Sequence, residues 1–117
     1  MKETTEAQLL ALGPAPDSPR TRQAIFVYTP LCGTCKMGAR MLEVAAAMGA
    51  PLPLARLNVN YAPLLRERWR IASVPALVLL DGEDAVHIEY AMRSVQHLQR
   101  LLAAHAAADV RRTSDTE

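Results

Sequence analysis

The spacing of apolar and polar positions changes several times along this chain, and each change marks an element. Ala24-Ile25-Phe26-Val27-Tyr28 is a near-continuous apolar run rich in β-branched and aromatic residues. Such a run predicts a strand buried on both faces. After Cys32 the period becomes helical. Met37 or Gly38, Met41, Leu42, Ala45 and Met48 fall at three- and four-residue steps, and Gly49 closes the helix. Residues 54–60 alternate apolar and polar, as a half-buried strand does. Strand, helix and strand then form a right-handed parallel crossover.

A short helix follows at 64–70, with Asn60 as its cap, Pro63 near its first turn and Trp69 as a core anchor beside Leu65. Residues 76–80 are again apolar. Asp81-Gly82-Glu83-Asp84 makes a tight turn, and 85–90 return in alternation, which predicts a hairpin. Ser94 caps a last helix over 95–108, with Val95, Leu98, Leu101 or Leu102 and His105 on one side. In front, Thr4 or Thr5 caps a helix over 6–12, and Gly13-Pro14 ends it. The three prolines of 14–19 stiffen the connector to the first long strand. The predicted order is helix, then β-α-β-α-β-β-α.

A chain of 117 residues, half of them hydrophobic, fits one domain whose core needs no staple. The formal net charge is +1, with acids and bases mixed along the chain. Neither a nucleic-acid surface nor a polybasic membrane patch is expected from that balance. No stretch approaches the roughly 20 apolar residues needed to span a bilayer. The opening residues, Met1-Lys2-Glu3-Thr4-Thr5-Glu6, lack the apolar core of a signal peptide. If Met1 is the native start, a cytoplasmic location is expected.

The chain has two cysteines, Cys32 and Cys35, between a predicted strand and a predicted helix. In a reducing compartment a lone pair points to catalysis or metal binding before a structural staple. A zinc site needs four ligands at recognisable spacing. No second cysteine pair exists, His97 and His105 stand eight residues apart, and His87 falls on a strand. The three histidines are therefore expected at or near the surface, with no metal and no other cofactor. Met37, Met41 and Met48 read as core filler, although Met37 beside the pair could join a partner surface.

Three motifs together resemble the thioredoxin-like family, from about Ala24 to Leu102. They are Cys32-Gly33-Thr34-Cys35-Lys36 after a strand, Arg56-Leu57-Asn58-Val59 in the second strand, and Val74-Pro75 opening the third. The resemblance implies an α/β fold of the thioredoxin-like type, a four-stranded mixed sheet flanked by helices. Its strands would lie in the order 54–60, 24–28, 76–80, 85–90, with the family's first edge strand missing. Strand 54–60 would then be an edge, guarded by Arg56 and the flanking prolines. The expected division is 1–23 as N-terminal helix and Pro-rich loop, 24–108 as the thioredoxin-like domain, and 109–117 as a flexible tail.

The function implied is thiol–disulfide exchange. Cys32, just before a helix, would be the attacking thiolate, because the helix's free N–H groups and positive dipole end favour a charged sulfur. Cys35, one turn in, would be the resolving thiol. Leu31, Gly33, Thr34 and Lys36 would complete the active-site loop, with Gly33 allowing a tight turn. Val74 and a cis Pro75 would bind substrate. The partners implied are protein disulfides or low-molecular-weight thiols and an upstream disulfide reductase.

Three positions depart from the family. Thr34 stands where thioredoxins usually carry proline, Leu31 where they carry tryptophan, and Phe26 where they carry a buried carboxylate. The last leaves water or Cys32 to take the Cys35 proton. These departures keep open an alternative, a thioredoxin-like binding or adaptor module with little turnover.

Overall fold

The computed structural model describes residues 1–13, 22–49 and 52–115, with side chains as far as residue 107. The Pro-rich connector at 14–19 and Ala50-Pro51 lie outside the described residues. The elements are β1 (Lys2–Glu3), α1 (Glu6–Leu10), β2 (Arg22–Tyr28), α2 (Gly33–Ala47), β3 (Leu54–Asn58), a 3-10 turn (Val59–Tyr61), α3 (Pro63–Arg68), β4 (Ala76–Asp81), β5 (Asp84–Glu89) and α4 (Val95–Asp115). They form a mixed sheet in the order β1-β3-β2-β4-β5. β1, β3 and β2 are parallel, while β4 runs antiparallel to β2 and β5 antiparallel to β4.

The period-2 pattern sends side chains of the central strands to two cores. Ile25 and Val27 of β2 and Val78 and Leu80 of β4 pack with Leu9, Leu65 and Trp69 on one face. Ala24, Phe26, Leu77 and Leu79 pack with Cys35, Leu42, Ala45, Leu98 and Leu102 on the other. The helical stripe of α2 thus meets the sheet through Cys35, Gly38, Leu42 and Ala45. Met37 and Met48, by contrast, are exposed. Gly49 follows α2 with φ at 100°, in the left-handed region that suits glycine.

Further expectations are corrected. The sheet has five strands, because Lys2 and Glu3 pair in parallel with Ala55 and Arg56. Two charged residues carry no readable period, and the pairing is held instead by partners distant in sequence. Thr4 N–H donates to Arg56 O at 2.8 Å, and Arg56 Nε donates to Glu3 Oε1 at 2.7 Å. Accordingly β3 is not a bare edge, and Arg56 is the partner of Glu3, not a guard on an open strand.

Asn60 is not the cap of α3. Asn58 Oδ1 instead accepts Asn60 N–H at 3.0 Å and caps the 3-10 turn, and the N-cap position of α3 falls on Ala62. Gly33 shows no positive φ, and nothing lies within 4 Å of where its Cβ would stand. The turn does not require glycine there. Finally, His105 is buried. His105 Nε2–H donates to Leu80 O at 2.8 Å, which leaves Nδ1 as the acceptor facing Arg22 Nη1 at 3.4 Å. Those two partners satisfy both ring nitrogens without solvent.

Candidate functional site

The dithiol sits where β2 ends and α2 begins. Cys32 is the N-cap residue of α2, in extended conformation. Its Sγ accepts the Cys35 backbone N–H at 3.1 Å and lies 3.3 Å from Thr34 Oγ1. Lys36 N–H donates to Cys32 O at 3.3 Å. An N-cap side chain satisfies one of the four free N–H groups at a helix start. Here a sulfur does so, and a negative charge on it meets the positive end of the helix.

Cys32 is partly exposed, whereas Cys35 is buried against Phe26 and Leu42. The two sulfurs are joined as a disulfide, with Cα atoms 5.1 Å apart. One cysteine is therefore partly open to solvent and the other enclosed.

The remaining residues singled out from the sequence surround this pair. Leu31 is 99% exposed, so its apolar side chain stands free beside Cys32. Gly33, Thr34 and Lys36 are exposed on the first turn of α2. The Val74–Pro75 peptide is cis. Pro75 lies across a cleft of about 620 Å³ from Gly33, Thr34, Met37 and Met41, with Tyr90 and Met92 closing its far wall. Tyr90 Oη accepts Ala72 N–H at 3.0 Å, which ties the loop before Pro75 to the end of β5. Tyr90 and Met92 were not read from the sequence as part of the site. Tyr90 was expected inside the returning strand, but both residues follow β5, where period no longer reports direction.

A second cleft, of about 200 Å³, reaches Cys35 from the other side. It is lined by Phe26, Tyr28, Thr29, Pro30, Cys35, Lys36, Ala39 and Arg56. Tyr28 Oη donates to the Glu3 carboxylate, at 2.9 and 2.8 Å from its two oxygens. Burial first, then the bond to Glu3 and its charge, push the Tyr28 phenol above its usual pKa of 10.0, with Arg56 opposing. Glu3 and Tyr28 also escaped the sequence reading, because their meeting depends on β1.

On the far rim of the sheet, Glu89 accepts from His87 Nε2 at 2.9 Å and lies 3.2 Å from His97 Nε2. These bonds, that of His87 first, hold its carboxyl below the usual 4.5 against the opposing effect of burial. Among the described residues no group of three His, Cys, Asp or Glu side chains is placed to hold a metal ion, and no helix is long and apolar enough to cross a membrane.

A disulfide-forming Cys-x-x-Cys pair capping a helix, with a cis-proline sharing a cleft with the two residues between the cysteines, on a mixed sheet flanked by helices, defines a thioredoxin-like protein. The thioredoxin family model matches residues 19–104, and the chain belongs to that family. It is 37% identical over 78 residues to the thioredoxin-like protein YusE of Bacillus subtilis (strain 168), covering 67% of this chain and 74% of that one. Against the thioredoxin of the same organism the identity is 28% over 79 residues, covering 67% and 76%. Among solved structures, chloroplastic thioredoxin z superposes with a TM-score of 0.70 at 21% identity, covering 92% of this chain and 95% of that chain. A thioredoxin mutant from Halobacterium salinarum NRC-1 gives 0.64 at 21% identity, covering 74% and 75%. At that identity the two structures speak to the fold alone.

Proposed function

We propose that this protein is a cytoplasmic thiol–disulfide oxidoreductase acting on protein disulfides, or on mixed disulfides with low-molecular-weight thiols, and re-reduced by a disulfide reductase. The observation that carries the reading is the asymmetry of the pair: Cys32 is partly exposed at the start of α2, and Cys35 is enclosed one turn further on. Cys32 thiolate attacks one sulfur of the substrate disulfide. A mixed disulfide forms, and the other substrate sulfur leaves as a thiolate. Cys35, once deprotonated, attacks Cys32 Sγ, and the second substrate sulfur departs. The substrate gains two electrons and the protein ends as the Cys32–Cys35 disulfide. In this reading Val74 offers its backbone beside Pro75 to an extended substrate segment, and Leu31, Gly33, Thr34 and Lys36 form the loop around the attacking sulfur.

Insulin reduction driven by a small thiol tests the reading. The expected result is a rate well above the reductant alone, abolished by Cys32→Ser. With Cys35→Ser, substrates remain attached to Cys32 and are identified by mass. The adaptor reading is favoured by one feature, the buried Phe26 beside Cys35, which can take no proton. A rate equal to the reductant alone, with both cysteines intact, would establish it.

A further inference from the structure

Cys35 must lose a proton before it can resolve a mixed disulfide. Phe26, packed in the same core cluster, cannot accept it. The cleft of about 200 Å³ beside Cys35 has room for several waters, since one water occupies about 30 Å³ of liquid. The charged and titratable groups facing that cleft are Lys36 from α2, Arg56 from β3 and Tyr28 from β2. The two cations have no acceptor site. The Tyr28 hydroxyl does: it can accept from a water in the cleft while its own proton points at Glu3, 2.8 and 2.9 Å away.

Tyr28 also lines the neighbouring cleft, together with Glu3 and Tyr61, so one residue borders both the cleft that reaches Cys35 and the cleft that holds the carboxylate. Its position is fixed on two sides. The ring lies parallel to that of Phe26 with centroids 6.4 Å apart, and the Arg56 guanidinium carbon stands 5.7 Å from its centroid. Arg56 Nε donates to the same carboxylate at 2.7 Å.

We propose that Glu3, reached through the Tyr28 hydroxyl and water in this cleft, is the acceptor for the Cys35 proton. The inference rests on the exchange activity proposed above. The thiol proton passes to water, a proton from the water side enters the Tyr28 hydroxyl, and the original phenol proton moves to Glu3. The Cys35 thiolate then forms the bond to Cys32 Sγ as the Cys32–substrate bond breaks, and the electron pair leaves on the substrate sulfur. Glu3 returns its proton to solvent. Because Tyr28 holds its proton tightly, it passes one along without ending as the phenolate.

The test uses the full chain and Ellman's reagent, an aryl disulfide that releases one coloured thiolate on attack by Cys32 and a second on resolution by Cys35. Tyr28→Phe keeps the ring and removes the relay oxygen. Glu3→Gln keeps an oxygen to accept from both donors but is a poor base. Both variants are expected to slow the second release about tenfold or more at neutral pH and to move its pH profile upward. The first release should keep the wild-type rate, and Glu3→Asp should recover part of the loss. Second-release rates and pH profiles matching wild type would overturn the relay, as would equal slowing of both releases, which would mark a purely structural role. If wild type itself gave no second release, the exchange reading would fall, and the relay with it. If wild type resolves normally and the variants match it, only the relay falls.

Discussion

Glu6, in the first turn of α1, accepts the backbone N–H of Leu65 in α3 through Oε2 at 2.9 Å. Leu65 is the third residue of α3, where an N-cap side chain would normally bond, and Ala62 at the cap position has none to offer. One helix is therefore capped by the side chain of another. Glu6→Ala should cost about 1 kcal/mol, read as a lower urea midpoint by circular dichroism, and Glu6→Gln should cost less because it retains an acceptor.

Helix α3 also stops in an unusual way. Ile71 N–H reaches back to Arg66 O at 3.0 Å and Arg70 N–H to Glu67 O at 3.1 Å, with Arg70 at φ 55°. This is the closing pattern that usually places glycine in the left-handed position. An L side chain there costs about 1 kcal/mol or more, only partly offset by glycine's greater freedom when unfolded. Arg70→Gly should raise stability by about 0.5 kcal/mol or more, while Arg70→Ala should not.

Gly38 shows the opposite sign. Alanine ordinarily gains about 1 kcal/mol over glycine inside a helix. Here its Cβ would stand 3.2 Å from both Cε1 and Cζ of Phe26 and 3.5 Å from Met92 Cγ. The Phe26 ring is buried and packed in one core cluster with Leu42, Leu77 and Leu98, which resists the shift the new methyl requires. Gly38→Ala should lower stability by about 1 kcal/mol. A double-mutant cycle with Phe26→Leu should show the cost shrinking, which denaturant titration of the four proteins can measure.

Stability should also fall on mild acidification. Burial, the largest cause, and the charge of Arg22 hold His105 below its usual pKa of 6.5, against the bond to Leu80 O and the charge of Asp81. The unfolded chain takes a proton on this histidine near pH 6.5, where the folded chain still refuses it. The contribution is thus complete above that pH and drains away as pH falls toward the folded-state value. Glu89 acts lower down: its depressed pKa adds stability that is lost only as pH falls below about 4.5. Urea midpoints between about pH 7.5 and about pH 5.5 should decline in wild type and flatten in His105→Gln, which keeps a donor and an acceptor without titrating in that range.

Much of this architecture was legible in the chain. Strands β2 and β4 are apolar on both faces and are buried on both, and Gly38, Leu42 and Ala45 of the expected α2 stripe meet the sheet while Met37 and Met48 do not. The cysteine pair and Val74-Pro75 marked the candidate site, and the structure joins the two sulfurs and makes the Val74–Pro75 peptide cis. What escaped was whatever depends on a partner far away in sequence. Lys2 and Glu3 become a strand only because Arg56 and Tyr28 receive them. His105 fell on the correct side of α4, but its burial depends on Leu80 O and Arg22. The end of α3 was hidden because arginine occupies a position where glycine is the recognisable signal.

The single tryptophan carries a practical consequence. Trp69 packs on the sheet face opposite Cys35, with its indole N–H donating to Glu83 O at 3.0 Å. The residue directly before the dithiol is Leu31, which does not fluoresce. Tryptophan emission from this chain will report whether α3 is docked, and the sheet stands between that indole and the joined sulfurs. Its reduction potential is therefore better read by thiol labelling or mass, and tryptophan fluorescence can follow unfolding.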